Sequence, residues 1–471
     1  MTTLLAILFL AANLHVIPAP SKIEPASPEQ IAATNITVET KAGMTGYTLD
    51  TTPHGIRILA GNAESEFYAR QTLAQLNDDG RLPCVHVEDA PRYEWRGFML
   101  DESRHFFGKA VVKQLLDVMA ELKLNRFHWH LTDEPGWRIE IKKYPKLTEI
   151  GAVGNYSNRN APRAFYTQDD IREIVAYAAA RHIVIIPEID MPGHATAATR
   201  AYPGLSGGGT GRFVGFTFHP VKEETYRFIE DVLTEVAALF PGPYIHIGGD
   251  EVSFGTQTWK TDPQIQQFIA AHKLKDTVGL EQHFIRRAVG IVNKLGKTAV
   301  GWDEIVDAGV PAQHCVVMWW RHDKPQVLAN ALTRGYTVVL TPRRPCYLDF
   351  VQHDSHKIGR RWKGFNDLDG TYDFPAPTQT APKVLGLEAC LWTERIADKH
   401  RLDFMTFPRL AAIAEDAWTN PDAKNLDSFR TRLRDFLRRL DKLGIYYFDP
   451  FDPSRTPEPS APDKADALAN G

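Results

Sequence analysis

The sequence predicts a (β/α)8 TIM barrel of the α/β class preceded by a small N-terminal α/β domain, and three observations carry that reading. From Arg92 onward one unit recurs: a short apolar strand, a polar or aromatic exit, then an amphipathic helix. Eight such units fill roughly 300 residues, more than the ~250 typical of such barrels, which leaves room for inserted loops. Residues 15–91 have a different texture, short β-rich runs around one helical pattern.

In chain order, residues 1–14 read as a leader. The apolar run from Leu4 to Leu14 has signal-peptide length and is too short to span a bilayer, so export to a periplasmic, extracellular or lysosome-like compartment is expected. No Lys or Arg precedes the run and no small-x-small cleavage site stands out, which keeps a lipoprotein or a misplaced start codon open. No other stretch suggests an integral membrane span. Residues 15–91 form the small domain, with NITVET and GIRILAG as strands and SEFYARQTLAQL as its helix.

Residues 92–447 hold the barrel. Its strands are RGFML, RFHWHL, HIVIIPE, YIHIGG, TAVGW, CVVMWW, TVVLT and GLEACLW, and helical patterns such as GKAVVKQLLDVMAELK and KEETYRFIEDVLTEVAALF follow most of them. No Gly-x-Gly-x-x-Gly turn follows the first strand, which counts against an open doubly wound sheet. The glycine-rich loop Gly204 to Phe213 lacks the Gly-Lys-Ser/Thr of a phosphate cradle and reads as a flexible loop on the active face. Residues 448–471, rich in Pro, Ser, Ala and Asp, are expected to be disordered.

Composition narrows the function. Lys plus Arg number 54 against 58 Asp plus Glu, a net charge of −4 without long single-sign runs, which argues against nucleic acid or an anionic membrane as partner. The four cysteines are far apart and free of Cys-x-x-Cys spacing, so buried free thiols are expected and neither a metal nor a cofactor is implied. Oligomeric state is not legible.

Barrel enzymes place their chemistry at the C-terminal strand ends. There the sequence puts Asp101 and Arg104, Asp133 and Trp137, Glu188, Asp190 and His194, Asp250 and Glu251, Trp302 with Asp303 and Glu304, Trp319 and Trp320, Tyr347 and Asp349, and Trp392 and Glu394. Carboxylates among indoles suit glycoside chemistry: an acid protonates the leaving oxygen, a negative group faces the oxocarbenium-like centre, and sugar C–H faces pack on rings. Asp250 and Glu251 are adjacent, so both can face one pocket only where the strand breaks, which Gly248 and Gly249 permit.

The stretch HIGGDE, His246 to Glu251, resembles the His-x-Gly-Gly-Asp-Glu signature of family 20 glycoside hydrolases, the β-N-acetylhexosaminidases. DAPRYEWRGFMLDESRHF, LKLNRFHWHLTDEPGWRIEI, IPEIDMPGHA, GWDEI, CYLDF, LGLEACLWTE and FPRLAAIAEDAW resemble further family segments in family order, and HVIPAPSKIE and YARQTLAQL resemble its small N-terminal domain. The resemblance covers residues 15 to 447. It implies exo-hydrolysis of terminal, non-reducing N-acetylglucosamine or N-acetylgalactosamine from an oligosaccharide or glycoconjugate. The substrate's own 2-acetamido oxygen would be the nucleophile, with retention through an oxazolinium-like intermediate.

By this resemblance Glu251 is general acid and then base, and Asp250 holds the acetamido N–H. Arg96 would grip the outer hydroxyls. Asp349 and Glu394 would bind the acetamido side and the 4- and 6-hydroxyls respectively. Tyr347 would bond the acetamido oxygen, and Trp302, Trp320 and Trp392 would form the acetamido pocket and platform, Trp320 being preferred to Trp319 because Arg321 follows it. Asp133 and His194 would support Glu251. The chain departs from the family at Glu134 and Pro135, where relatives carry a second Asp and a Gln, and in the basic insert from His353 to Tyr372, read as shaping the aglycone side or a subunit contact. Two rivals stand beside this reading: a carbohydrate-binding barrel with weak or no catalysis, and a metal-dependent amidohydrolase suggested by the His128-x-His130 pair.

Overall fold

The computed structural model describes residues 14–362, 364–376 and 379–460. The expected leader lies outside them except for Leu14, which is buried in the core of the small domain with Val16.

That domain is a five-stranded sheet in the order β1 (Lys22–Ala32), β5 (Arg81–Asp89), β3 (Tyr47–Thr52), β4 (Gly55–Ala60), β2 (Ile36–Thr40). Alternation along β3 turns Tyr47, Leu49 and Thr51 inward, the period-two pattern of a sheet with one covered face. The cover is the helix Ala63–Leu76, started by Asn62, whose side chain accepts from the Ser65 N–H. Buried polar ties dock the sheet on the barrel: the Trp418 indole N–H and Lys123 Nζ both donate to Asp89, at 2.9 and 2.8 Å.

The remaining strands close a parallel barrel: β6 (Trp95–Asp101), β7 (Arg126–His130), β8 (Val184–Glu188), β9 (Tyr244–His246), β10 (Thr298–Trp302), β11 (Cys315–Trp319), β12 (Thr337–Leu340) and β13 (Val384–Leu391), with β13 pairing back onto β6. All eight coincide with strands read from the sequence. Their residues alternate between two cores. Met99, Val300, Trp302, Val316, Met318 and Val339 fill the interior, while Phe98, Leu100, Val317, Trp319, Val338 and Leu340 pack outward under the helices. Strands buried on both faces read as continuous apolar runs, which is why the sequence signal was clear.

Two further features bear on the site. Residues 448–460, expected to be disordered, are held by local bonds: Asp449 and Thr456 are buried and bonded to one another, and Glu458 accepts from the N–H groups of Lys357 and Ile358. Residues 461–471 lie outside the described part. All four cysteines are buried free thiols, and among the described residues no helix is long and apolar enough to cross a membrane.

Candidate active site

The site begins where β9 stops. Gly248 and Gly249 take φ of 68° and 96°, and Glu251, a non-glycine, also sits in the left-handed region at 52°. A Cβ on Gly248 would stand 1.8 Å from Asp190 Oδ1, and one on Gly249 would stand 2.9 Å from Ile305 Cγ2, so glycine is required for space as well as for conformation. The turn ends the two-residue alternation of the strand and brings both acids to one pocket. Holding Glu251 in this conformation costs about 1–2 kcal/mol, strain that the surrounding packing must impose.

The two acids differ. Asp250 is largely enclosed, and burial pushes its carboxyl up to about 7, with protonated His194 opposing and Glu251 adding to the rise. The Glu251 side chain is 38% exposed at the mouth. His194 stands between them, its Nε2 at 3.6 Å from Asp250 Oδ2 and 3.7 Å from Glu251 Oε2. Its Nδ1 meets Asp133 Oδ1 at 3.0 Å. Burial opposes a charge on His194, but Asp133, Asp190 and Asp250 together lift it well above the usual histidine range.

Aromatic walls complete the pocket, which is open at the mouth. Trp302 and Trp392 have ring centroids 5.7 Å apart, and Tyr347 stands 6.0 Å from Trp392. Trp302 is fixed by its N–H to Glu188 Oε1 and Trp320 by its N–H to Glu304 Oε2, both at 3.0 Å. Trp320 lines the pocket, whereas Trp319, the last residue of β11, points outward into the core under the helices. Asp349 and Glu394 lie in or beside the same pocket, joined by Arg360.

Arg96 is the exception and corrects the reading from sequence. It is 2% exposed and donates to the carbonyls of Lys123 and Tyr93 and to the Tyr68 hydroxyl, tying the small domain to the barrel. The reason is direction: Arg96 sits at the N-terminal end of β6, and side chains there cannot reach the C-terminal face. The arginine that this strand brings to the pocket is Arg104, just beyond its end, with Nη2 at 2.6 Å from Asp133 Oδ2, Nη1 at 3.4 Å from Asp101 Oδ2 and its guanidinium 5.2 Å from the centre of the Trp392 ring. Its place at a strand exit was visible in the sequence. Arg360 and Trp362, also in the pocket, come from the insert at 353–372 and follow no strand end, so periodicity could not find them.

Below the pocket, His128 is clamped inside the barrel, Nδ1 on Glu388 at 2.7 Å and Nε2 on Glu188 at 2.8 Å. Burial opposes its charge, yet the two carboxylates raise it to about 9. Bonded through both nitrogens to carboxylates, His128 is held as a charged bridge between Glu188 and Glu388 inside the barrel.

A closed barrel that gathers a carboxylate pair, an imidazolium and four indoles at its C-terminal mouth defines a sugar-processing site. The chain matches the glycosyl hydrolase family 20 catalytic domain over residues 93–421 and family 20 domain 2 over residues 10–90. It is 39% identical over 429 residues to a beta-hexosaminidase of Porphyromonas gingivalis, covering 86% of this chain and 55% of that one. A beta-hexosaminidase of Akkermansia muciniphila is 32% identical, with 92% of each chain covered. In structure it resembles a Vibrio harveyi GH20 exo beta-N-acetylglucosaminidase in complex with N-acetylglucosamine, with a TM-score of 0.86 at 32% identity over 94% of this chain and 79% of that one. The beta-N-acetylhexosaminidase of Streptomyces coelicolor gives a TM-score of 0.81 at 32% identity over 94% and 99%. The chain belongs to glycosyl hydrolase family 20.

Proposed function

We propose that the protein is an exo-acting β-N-acetylhexosaminidase that releases terminal, non-reducing N-acetylhexosamine with retention, using the substrate's acetamide as nucleophile. The observation that carries this is the turn at 248–251, which presents two adjacent carboxylates of unequal exposure to one indole-lined pocket. Adjacent acids cannot flank a glycosidic bond from opposite faces, as paired carboxylates in ordinary glycosidases do at ~5–9 Å separation. They can divide the work if one handles a proton and the other the acetamide.

Glu251, at the mouth, donates its proton to the glycosidic oxygen as that bond breaks. The acetamido oxygen closes on the anomeric carbon, and Asp250 accepts the amide N–H and balances the positive charge that spreads over the oxazolinium ring. Glu251, now a carboxylate, takes a proton from the water that opens the ring, so two inversions give retention. His194, held by Asp133, supplies the positive charge that keeps both acids oriented. Trp302, Trp320 and Trp392 enclose the acetamide and ring face, Tyr347 bonds the acetamide oxygen, and Arg104 and Glu394 bind the outer hydroxyls; Asp349, which the resemblance places on the acetamido side, joins them, because Arg360 bridges it to Glu394. The name of the Vibrio harveyi neighbour supports an exo mode and N-acetylglucosamine as the terminal sugar. The apolar run Leu4–Leu14 supports export.

Hydrolysis of 4-nitrophenyl N-acetyl-β-D-glucosaminide, followed by NMR of the first-formed anomer, tests the proposal. Turnover with the β-anomer formed first is expected. Binding without turnover would favour the inactive lectin-like reading.

A further inference from the structure

The segment 353–372 delivers to the pocket a side chain that the reaction above does not use. Arg360 lies between two acids: its Nε donates to Asp349 Oδ2 at 2.8 Å and its Nη2 donates to Glu394. Those acids follow β12 and β13, and β13 stands opposite β9 in the closed ring, so Arg360 lies across the pocket from Asp250 and Glu251.

Its place is enforced by the backbone. The Arg360 N–H donates to the Asp349 carbonyl at 2.9 Å, and its own carbonyl accepts from Val351 at 3.1 Å, pairing it with the stretch that carries Asp349. Gly359 makes that approach possible, because at φ of 148° a Cβ would stand 2.7 Å from Val351 Cγ1 and 3.0 Å from the Asp349 carbonyl. Arg395, next to Glu394, holds the Gly359 carbonyl at 2.9 Å. The guanidinium lies 4.9 Å from the centre of the Trp362 ring. Two of its nitrogens are thus committed, while Nη1 has no hydrogen-bond partner among the described residues, and neither does Asp349 Oδ1.

We infer that Arg360 is a specificity-determining residue: it fixes Asp349 and Glu394 as a rigid acceptor pair for the hydroxyls of the terminal hexosamine remote from the scissile bond, and adds the Nη1 N–H groups as donors to the same hydroxyls. The inference rests on the β-N-acetylhexosaminidase reading. A carboxylate pair without the guanidinium would repel, and burial already pushes Asp349 up to about 7, so one acid would take a proton and turn from acceptor to donor. With donors and acceptors fixed in direction, a sugar epimeric at the 4-position leaves buried polar groups unpaired, the mismatch that gives a site its selectivity.

The test compares wild type, Arg360→Gln and Arg360→Lys on 4-nitrophenyl N-acetyl-β-D-glucosaminide, its galacto epimer and its 6-deoxy analogue, with melting temperatures to control for folding. Arg360→Gln is expected to raise KM for the parent roughly tenfold with little change in kcat, and to shrink the gluco-to-galacto ratio of kcat/KM by roughly tenfold. The 6-deoxy analogue should suffer less than the parent, and Arg360→Lys should recover part of the ratio. An unchanged KM and ratio, or an equal fall on all three substrates, would overturn the inference. Failure of wild type to turn over any of them would instead remove the reading on which it rests.

Discussion

Arg96 and Arg104 stand at the two ends of the same strand, and the contrast between them separates the structural end of the barrel from the chemical one. Arg96 is bonded to two carbonyls and a hydroxyl, with the Glu64 carboxylate at 3.8 Å, and none of these partners belongs to the pocket. Arg104 is bonded to Asp101 and Asp133, Asp133 is bonded to His194, and His194 lies against Asp250 and Glu251. Two buried guanidiniums therefore do different things. The first fastens one domain to another. The second enters a chain of titrating groups, two members of which, His194 and Asp250, are displaced far from their ordinary ranges, the pattern expected of a functional site.

If the series of titrating groups from Arg104 to Glu251 ends in general acid catalysis, Glu251→Gln should show the largest effect, a loss of about 10²–10⁴ in kcat on a disaccharide substrate, where the leaving oxygen needs the proton most. The loss should be much smaller on a nitrophenyl glycoside. Equal losses on both would place Glu251 outside proton transfer.

Asp250→Asn tests the group whose ionisation the chain controls. Asp250 must be a carboxylate to balance the oxazolinium charge, and its free-enzyme value of about 7 means that kcat/KM should fall as pH drops through that region. The variant should be slower by roughly 10²–10³, and its acidic limb should be shallower, keeping only the contribution of Asp349, whose carboxyl burial also pushes up to about 7. A limb unchanged in steepness in Asp250→Asn would take Asp250 out of the titration.

The arginine pair gives the smallest effects and the sharpest contrast. Arg104→Lys should lower kcat/KM by roughly tenfold to a hundredfold, since an ammonium cannot reproduce the fork between Asp101 and Asp133. Arg96→Lys should leave KM and kcat close to wild type while destabilising the fold by about 1–3 kcal/mol, read as a lower denaturation midpoint. The opposite assignment of the two effects would return Arg96 to the site.

The pair also shows how much of the molecule was legible in the chain. Every barrel strand could be placed because both of its faces are buried, and Asp250 and Glu251 could be placed because two glycines before two acids mark a strand that breaks. Arg96 was assigned by resemblance alone although it stands at the entry of the first strand, from which a side chain cannot reach the C-terminal mouth; Arg104, at the exit, can. Arg360 could not be found this way, since it reaches the pocket through the close backbone approach at Gly359, a contact between a loop and a strand exit that has no period. The order of residues 448–460 was missed for a related reason: a polar, proline-rich composition says nothing about Glu458 meeting two backbone N–H groups of the insert.

The most direct measurement is the rate of 4-nitrophenyl glucosaminides carrying N-acetyl, N-difluoroacetyl and N-trifluoroacetyl groups. Fluorine withdraws electrons from the amide oxygen, so if that oxygen is the nucleophile which Asp250 steers and Glu251 serves, log kcat should fall steeply and linearly along the series. A flat series, or a trapped glycosyl ester on an Asp or Glu side chain, would contradict acetamide participation.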